Sequence, residues 1–270
     1  MAPTLDAYLE AHTRRSGAAV QLAEAVPVEA VPTPALVVDV AALDRNLDRM
    51  AAFLAARGVG LRPHAKMHKT PEVARRQLAR GAVGICCAKL AEAEVMHAAG
   101  IGPILLTSPV VTDRALDRLL ALRAAGADVR TVVDDGDVVA RLGARAVAGK
   151  LEVPVLVDLD PDMGRTGIAR GAPALDLVRR IATTAGVRFA GLQQYSGQLQ
   201  HVAGHAERRA GAREALAKGR ETAARVEADG HAVEVFTGGG TGTHDVDSEP
   251  LPDGTGFTDL QCGSYAFMDE

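Results

Sequence analysis

The chain has 270 residues, 47% of them hydrophobic, and a mean hydropathy of +0.05, which excludes a disordered chain and supplies enough material for one large barrel or two modest domains. Lys and Arg total 30 against 34 Asp and Glu, a net charge of −4, so no bulk attraction draws it to nucleic acid or to an anionic membrane surface. No apolar run reaches the length of a membrane span, and small molecules are the expected partners.

In chain order, residues 1–32 read as an arm, amphipathic around Leu5 to Arg14 and then rich in Val, Pro and Ala. Ala35–Asp39 reads as a strand, and Leu43, Leu47, Met50 and Leu54 mark one helical stripe with Asp39 as a nearby cap. The next stretch, Leu61-Arg-Pro-His-Ala-Lys-Met-His-Lys69, organises the rest. In an extended strand alternate side chains share a face, which sets Arg62, His64, Lys66 and His68 together. Burying four such groups is costly without an anionic or carbonyl-bearing ligand, and an amine crowded by cations has a lowered pKa and becomes a nucleophile toward a carbonyl. Lys66 is therefore a candidate Schiff-base lysine. A basic surface strand is the simpler alternative for this cluster in isolation, and Pro63 argues against a helical His64/His68 metal pair.

Thr70 and Pro71 then open a helix as cap and first residue. The strand and helix unit repeats: Val83–Ala88 before a helix through Glu92, Val95 and Met96; Ile104–Thr107 before one capped at Thr112; Val129–Val133 before one capped at Asp134 or Asp135. Val153–Leu159, Phe189–Gln193 and Val233–Thr237 are later strands, a long helix runs from Ala206 to Ala228, and Asp259–Phe267 looks extended. This alternation predicts a parallel α/β sheet with crossovers. A closed barrel needs eight strands where nine candidates exist, so a count starting at Ala35 and one starting at Leu61 both remain open. The three cysteines, two of them the adjacent Cys86 and Cys87, have no disulfide or zinc spacing and read as small buried hydrophobes in a reducing compartment. With Asp6, Glu10, Arg14 and Arg15 in place of a signal-peptide core, the expected location is the cytoplasm.

On either count the distinctive residues fall at strand carboxyl ends, where such barrels build their sites. The glycines between Gly238 and Gly242, with Thr241 and Thr243, allow backbone N–H groups to approach an oxyanion, and the loop lacks the endings of nucleotide-binding loops. Arg165 in its Gly-Arg-Thr-Gly turn suits a phenolate or carboxylate, with a surface ion pair as the alternative. His201 is a candidate general base, with His205 and His244 as competitors. An activated lysine, a phosphate cradle, an arginine and a histidine together point to pyridoxal 5'-phosphate, with the cofactor as electron sink.

Five ordered motifs carry a resemblance: Arg62-Pro-His-Ala-Lys-Met-His-Lys69, Asp162-Met-Gly-Arg-Thr-Gly167, Gln194-Tyr-Ser-Gly-Gln-Leu-Gln-His201, Gly239-Gly-Thr-Gly-Thr243 and Gly263-Ser-Tyr-Ala-Phe-Met-Asp269. Over about Thr33 to Asp269 the chain resembles the D-threonine aldolase and D-serine dehydratase family, pyridoxal-phosphate enzymes with an alanine-racemase-type (β/α)8 TIM barrel. The resemblance implies a barrel domain over 33–265, starting at the Leu61 strand, with 33–57 flanking it and 266–270 beginning a C-terminal β domain that is essentially missing. Relatives continue for roughly a further third of their length into that domain, which carries a His-x-Asp or His-x-Cys pair for a divalent metal, Mn or Zn. No segment here supplies that pair. Lys66 would carry the cofactor, Arg165 contact its phenolic oxygen and Gln261 face its ring nitrogen, where alanine racemases have Arg. Tyr195, Thr241, Gly242, Thr243, Gly263, Ser264 and Tyr265 would surround phosphate and ring. The implied function is a lyase on D-β-hydroxy amino acids, of aldolase type with His201 as base, yielding glycine and an aldehyde. D-serine dehydratase (pyruvate plus ammonia), a non-catalytic cofactor-carrying barrel and an amino-acid racemase are the alternatives, and relatives form homodimers.

Overall fold

The strand signals become eight parallel strands: β1 (Gly60–Leu61), β2 (Ile85–Cys87), β3 (Ile104–Leu106), β4 (Val129–Val133), β5 (Val153–Leu159), β6 (Val187–Gln194), β7 (Val235–Gly238) and β8 (Asp259–Leu260). This is a computed structural model; it describes Thr4 and residues 24–267, so the amphipathic stretch expected at Leu5–Arg14 lies outside the described residues. By compactness the chain divides into residues 1–43 and 44–270. In the first unit the described part holds a short 3-10 turn at Val28–Ala30. The strand expected at Ala35–Asp39 does not form, because its backbone has no ladder partner among the described residues and Leu36 and Val37 stand exposed. Asp39 does cap the following helix, its Oδ1 accepting from the Ala42 N–H at 2.9 Å.

The strands lie side by side in the order β1-β8-β7-β6-β5-β4-β3-β2, every ladder parallel. The seam between β1 and β2 is closed by Val83 N–H to Leu61 O and Cys86 N–H to Pro63 O, both 2.8 Å. The (β/α)8 barrel therefore counts from Leu61 and ends on β8. The extended run expected over Asp259–Phe267 is shorter, because the chain turns into a 3-10 segment at Ser264–Phe267.

Around the strands run α1 (Val40–Ala55), α2 (Pro71–Leu78), α3 (Leu90–Ala98), α4 (Asp113–Ala124), α5 (Gly136–Ala148), α6 (Ala172–Thr183), α7 (His205–Ala228) and the short α8 (His244–Asp247). Leu47, Met50 and Leu54 are buried as the stripe requires. Thr112 and Asp135 cap α4 and α5 through their side-chain oxygens. Thr70 precedes α2, with Pro71 in the first turn, but makes no side-chain cap bond; its hydroxyl donates instead to the His68 carbonyl at 2.7 Å. Asp134 accepts from the Gly167 N–H at 3.0 Å and so ties down the turn after β5.

Cys86, Leu105, Val132, Leu156 and Ala190 form one buried cluster, with Val235 packed on it. One residue from each of six successive strands meets only in the barrel interior, so this is a filled core. All three cysteines are buried. The register slips once, Val155 pairing with Phe189 and Leu156 with Gly191, which leaves Ala190 as the extra residue of a bulge. Gly191 makes this possible: its φ is +143° and a Cβ there would lie 1.9 Å from the Val235 carbonyl oxygen. Gly191→Ala is expected to cost about 3 kcal/mol or more, read from urea unfolding, by forcing β6 and β7 apart. A loss below about 1 kcal/mol would show that the bulge relocates freely.

Candidate active site

The upper barrel interior is polar. Asp158, Gln193, Thr237 and Asp259 are register partners across β5, β6, β7 and β8, so their side chains share one level and one face. All four are buried. Gln193 Nε2 donates to Asp158 Oδ1 at 2.9 Å and to the Thr107 carbonyl at 3.1 Å. Gln261, just past β8, donates through Nε2 to Gln193 Oε1 at 3.0 Å and to Thr237 Oγ1 at 3.2 Å. Thr237 donates on to Asp259, which holds the buried Arg62 through an ion pair of 3.0 Å. Burial raises the Asp158 carboxyl to about 6, against hydrogen bonds from Gln193 and Thr166 that favour its ionised form.

The expected all-nitrogen face of the Leu61 stretch is not kept, because the chain leaves the extended conformation for a 3-10 turn at Ala65–Met67. Arg62 is neutralised by Asp259, and burial holds His64 down at about 3, with Lys66 adding to the effect. His64 Nδ1 accepts the Lys66 N–H at 3.3 Å, which puts the ring proton on Nε2, 3.0 Å from Thr107 Oγ1. The imidazole is thus a neutral brace under the lysine backbone. The Lys66 amine is lowered as expected, but by partial burial first and by Arg165 second, not by its strand neighbours.

Arg165 reaches this place from the turn after β5. The turn is held by Thr166 Oγ1 to Asp158 Oδ2 at 2.9 Å and by Gly167, whose φ of +101° brings it against the Asp160 backbone. Both cations stand over the Tyr195 ring, Lys66 Nζ at 5.2 Å and Arg165 Cζ at 5.1 Å from its centroid. Lys66, Arg165, Tyr195 and Gln261 all line a cavity of about 220 Å³.

A second cavity, about 480 Å³, shares Lys66, Tyr195 and Gln261 and extends to His201, Thr241, Gly242, Gly263 and Ser264. The backbone N–H groups of Gly240, Thr241, Gly263 and Ser264 have no acceptor among the described residues. Such a row of open amides suits an oxyanion. The loop glycines do more than approach a ligand, however: a Cβ on Gly240 would sit 2.5 Å from Gln200 Oε1, and one on Gly242 2.7 Å from the Gln200 carbonyl. Gln200 accepts the Gly242 N–H at 2.8 Å and donates to Thr243 Oγ1 at 2.9 Å, locking the Gly197–His201 turn onto the loop.

The nominated residues therefore separate. Lys66, Arg165, Tyr195, His201, Thr241, Gly242, Gln261, Gly263 and Ser264 line the two cavities. Thr243 is buried beneath the loop, its hydroxyl bonded to Asp247, and Tyr265 is buried with its hydroxyl accepting from Gln77 at 3.1 Å; both reach the site only through what they support. His205 pairs with Asp245 at 3.0 Å, and His244 donates to the Thr241 carbonyl at 2.7 Å, so His201 is the histidine that opens onto the lysine's cavity. Sequence reasoning passed over Gln193, Gln200, Thr107 and Asp247. Gln200 sits in a quoted motif and Gln193 ends an expected strand, but the partners that give them work are distant in sequence. An amine of lowered pKa, a guanidinium, an aromatic ring and an open amide row fit pyridoxal phosphate group by group.

Fold and site together define a parallel (β/α)8 barrel built around a lysine at its carboxyl-end mouth. Residues 38–268 match the family described as alanine racemase, N-terminal domain, and the chain belongs to that family. It is 40% identical over 243 residues to a D-threonine aldolase of Arthrobacter sp, covering 90% of this chain and 63% of that protein. Among solved structures it is similar to the D-threonine aldolase from Filomicrobium marinum (TM-score 0.84, 41% identity, 88% of this chain and 63% of that one). It is also similar to the D-threo-3-hydroxyaspartate dehydratase from Delftia sp. HT23 (TM-score 0.79, 30% identity, 89% and 62%). The chain thus spans a little over three-fifths of the length of these relatives.

Beneath the glycine loop, burial lifts the Asp247 carboxyl to about 7 from an ordinary 3.8. Ionising it is harder in the folded than in the unfolded chain, so its contribution favours folding at low pH and is lost as pH rises toward 7. Asp247→Asn keeps an acceptor for Thr243 and cannot ionise. Measured by denaturant unfolding, its stability relative to the parent is expected to climb between about pH 4 and pH 7 and then level off. Parallel curves over that range would contradict the burial account.

Proposed function

We propose that this chain is the cofactor-binding barrel of a pyridoxal-phosphate-dependent lyase acting on D-β-hydroxy amino acids, with D-threonine aldolase-type cleavage to glycine and an aldehyde as the leading reaction. The observation that carries the reading is the lowered Lys66 amine opening onto one cavity with His201 and the open amides of Gly240, Thr241, Gly263 and Ser264. The likeness to two D-threonine aldolases supports it. The cofactor-binding region is taken as residues 33–265.

In this reading Lys66 would hold the cofactor covalently, Arg165 would contact its phenolic oxygen, Tyr195 its ring, and the amide row its phosphate. Bound there, pyridoxal phosphate supplies the sink for the electron pair left when a bond to Cα breaks. His201 takes the β-hydroxyl proton as the aldehyde departs. His64 stays neutral throughout and takes no proton, because its folded-state pKa of about 3 lies far below working pH. The Delftia relative favours a dehydratase as second reading, in which Lys66 takes the Cα proton and hydroxide leaves. A similar D-threo-3-hydroxyaspartate dehydratase variant is described as in the metal-free form, which supports a metal, taken here as divalent Mn or Zn, as a further part of the proposal. A homodimer in the cytoplasm is the remaining part of the proposal, the location resting on the cysteines being buried and unpaired.

Borohydride reduction of the cofactor-loaded chain followed by peptide mass analysis is expected to place a pyridoxyl group on Lys66; a label elsewhere overturns the site. With D-threonine, D-serine and added Mn or Zn, glycine plus acetaldehyde supports the aldolase. Pyruvate plus ammonia replaces it with the dehydratase, and no turnover with Lys66 labelled leaves a carrier barrel. His201→Ala is expected to lower kcat by about 10²–10⁴-fold while the lysine still takes the label.

A further inference from the structure

A carboxamide offers a donor at one end and an acceptor at the other, and the end that faces a ligand decides what the site selects. For Gln261 that choice is made inside the barrel. The Thr107 carbonyl can only accept, so the Gln193 atom 3.1 Å from it is the nitrogen, and this holds whether or not Asp158 is ionised. Gln193 Oε1 is then an acceptor, and the Gln261 atom 3.0 Å from it must donate. Thr237 gives the same answer independently: its hydroxyl proton goes to Asp259 at 2.7 Å, which leaves a lone pair for the Gln261 atom at 3.2 Å. Two separate chains thus pin Gln261 Nε2 downward. Both side-chain hydrogen bonds it makes to described residues run through Nε2, which leaves Oε1 for a ligand, and the residue lines both cavities.

The two cavities have three lining residues in common: Lys66, Tyr195 and Gln261. Arg165 belongs to the smaller cavity and the amide row to the larger. A pyridine ring whose aldehyde, phenol and phosphate arms sit on three neighbouring carbons takes these as lysine, guanidinium and amide row. Its nitrogen is para to the aldehyde carbon, on the edge those anchors leave free. With the Tyr195 ring engaged by the two cations, Gln261 is the shared polar side chain left for that edge. We infer that Gln261, oriented by Gln193, Thr107 and Thr237, presents its carboxamide oxygen to the cofactor ring nitrogen and so holds that nitrogen in its protonated, donating form.

This rests on the cofactor reading above and adds a property to it. A protonated ring draws electrons more strongly than a neutral one, which suits cleavage of a bond to Cα. A donor at the same position, such as an arginine, would favour the unprotonated ring. Gln261 is the group that touches the ring; Gln193 and Thr237 are positioning residues.

The test is the nitrogen-15 NMR shift of the ring nitrogen in this chain loaded with labelled pyridoxal phosphate, recorded across neutral pH. The expected signal is that of a protonated ring nitrogen, retained in Gln261→Glu, which keeps an acceptor, and moved to the unprotonated position in Gln261→Arg. Borohydride labelling of Lys66 is run on each sample. Label on Lys66 with an unprotonated ring in the parent chain overturns this inference alone, and so does a protonated ring that survives Gln261→Arg. No label on Lys66 in the parent overturns the cofactor reading and this inference with it. The parent measurement decides even where a variant fails to fold.

Discussion

A buried polar atom must find a partner, and at the carboxyl end of this barrel that requirement is met by one connected layer. Asp158, Gln193, Thr237 and Asp259 stand at one level on four neighbouring strands, with Arg62 closing one end and Gln261 rising from the middle. The apolar cluster below fills the barrel, whereas this layer gives it a rigid polar floor. Each member is oriented by the next, so the chemistry shown to a ligand is set by bonds the ligand never touches. The Thr107 carbonyl, unable to donate, is the fixed point from which the orientations follow.

The same economy governs charge around Lys66. A cluster of four nitrogen side chains would repel itself if all were cationic. The fold instead pairs Arg62 with Asp259, strips His64 of its proton by burial and turns the chain at Ala65 before His68 can join the row. What remains beside the amine is Arg165, brought from another strand, both cations standing over the Tyr195 ring. Lowering an amine by burial and one distant guanidinium leaves it free to react without a permanent cationic crowd.

The glycine loop shows how one sequence feature serves two ends. Gly240 and Gly242 lack a Cβ where Gln200 presses in, so the turn carrying His201 is clamped to the loop whose amides stay open. The candidate base and the candidate anion cradle are therefore parts of a single packed unit, supported from below by Thr243 and Asp247.

The sequence by itself determined the repeating strand and helix rhythm, the caps at Thr112 and Asp135, the stripe through Leu47, Met50 and Leu54, and the residues at strand ends, because each depends on neighbours within a few positions. Its five motifs also pointed to the family. It left two strand counts open, since closure depends on bonds such as Cys86 N–H to Pro63 O between segments whose pairing no local pattern encodes. Ala35–Asp39 has the composition of a strand but no neighbour to pair with among the described residues, and Tyr265 and Thr243 have the residue type of ligand contacts but point into the protein. The cause of the Lys66 shift, the neutrality of His64 and the direction of the Gln261 carboxamide were decided only in three dimensions. Each is set by parallel strand register and burial, which bring together residues far apart in the chain, Arg62 and Asp259 being 197 positions apart.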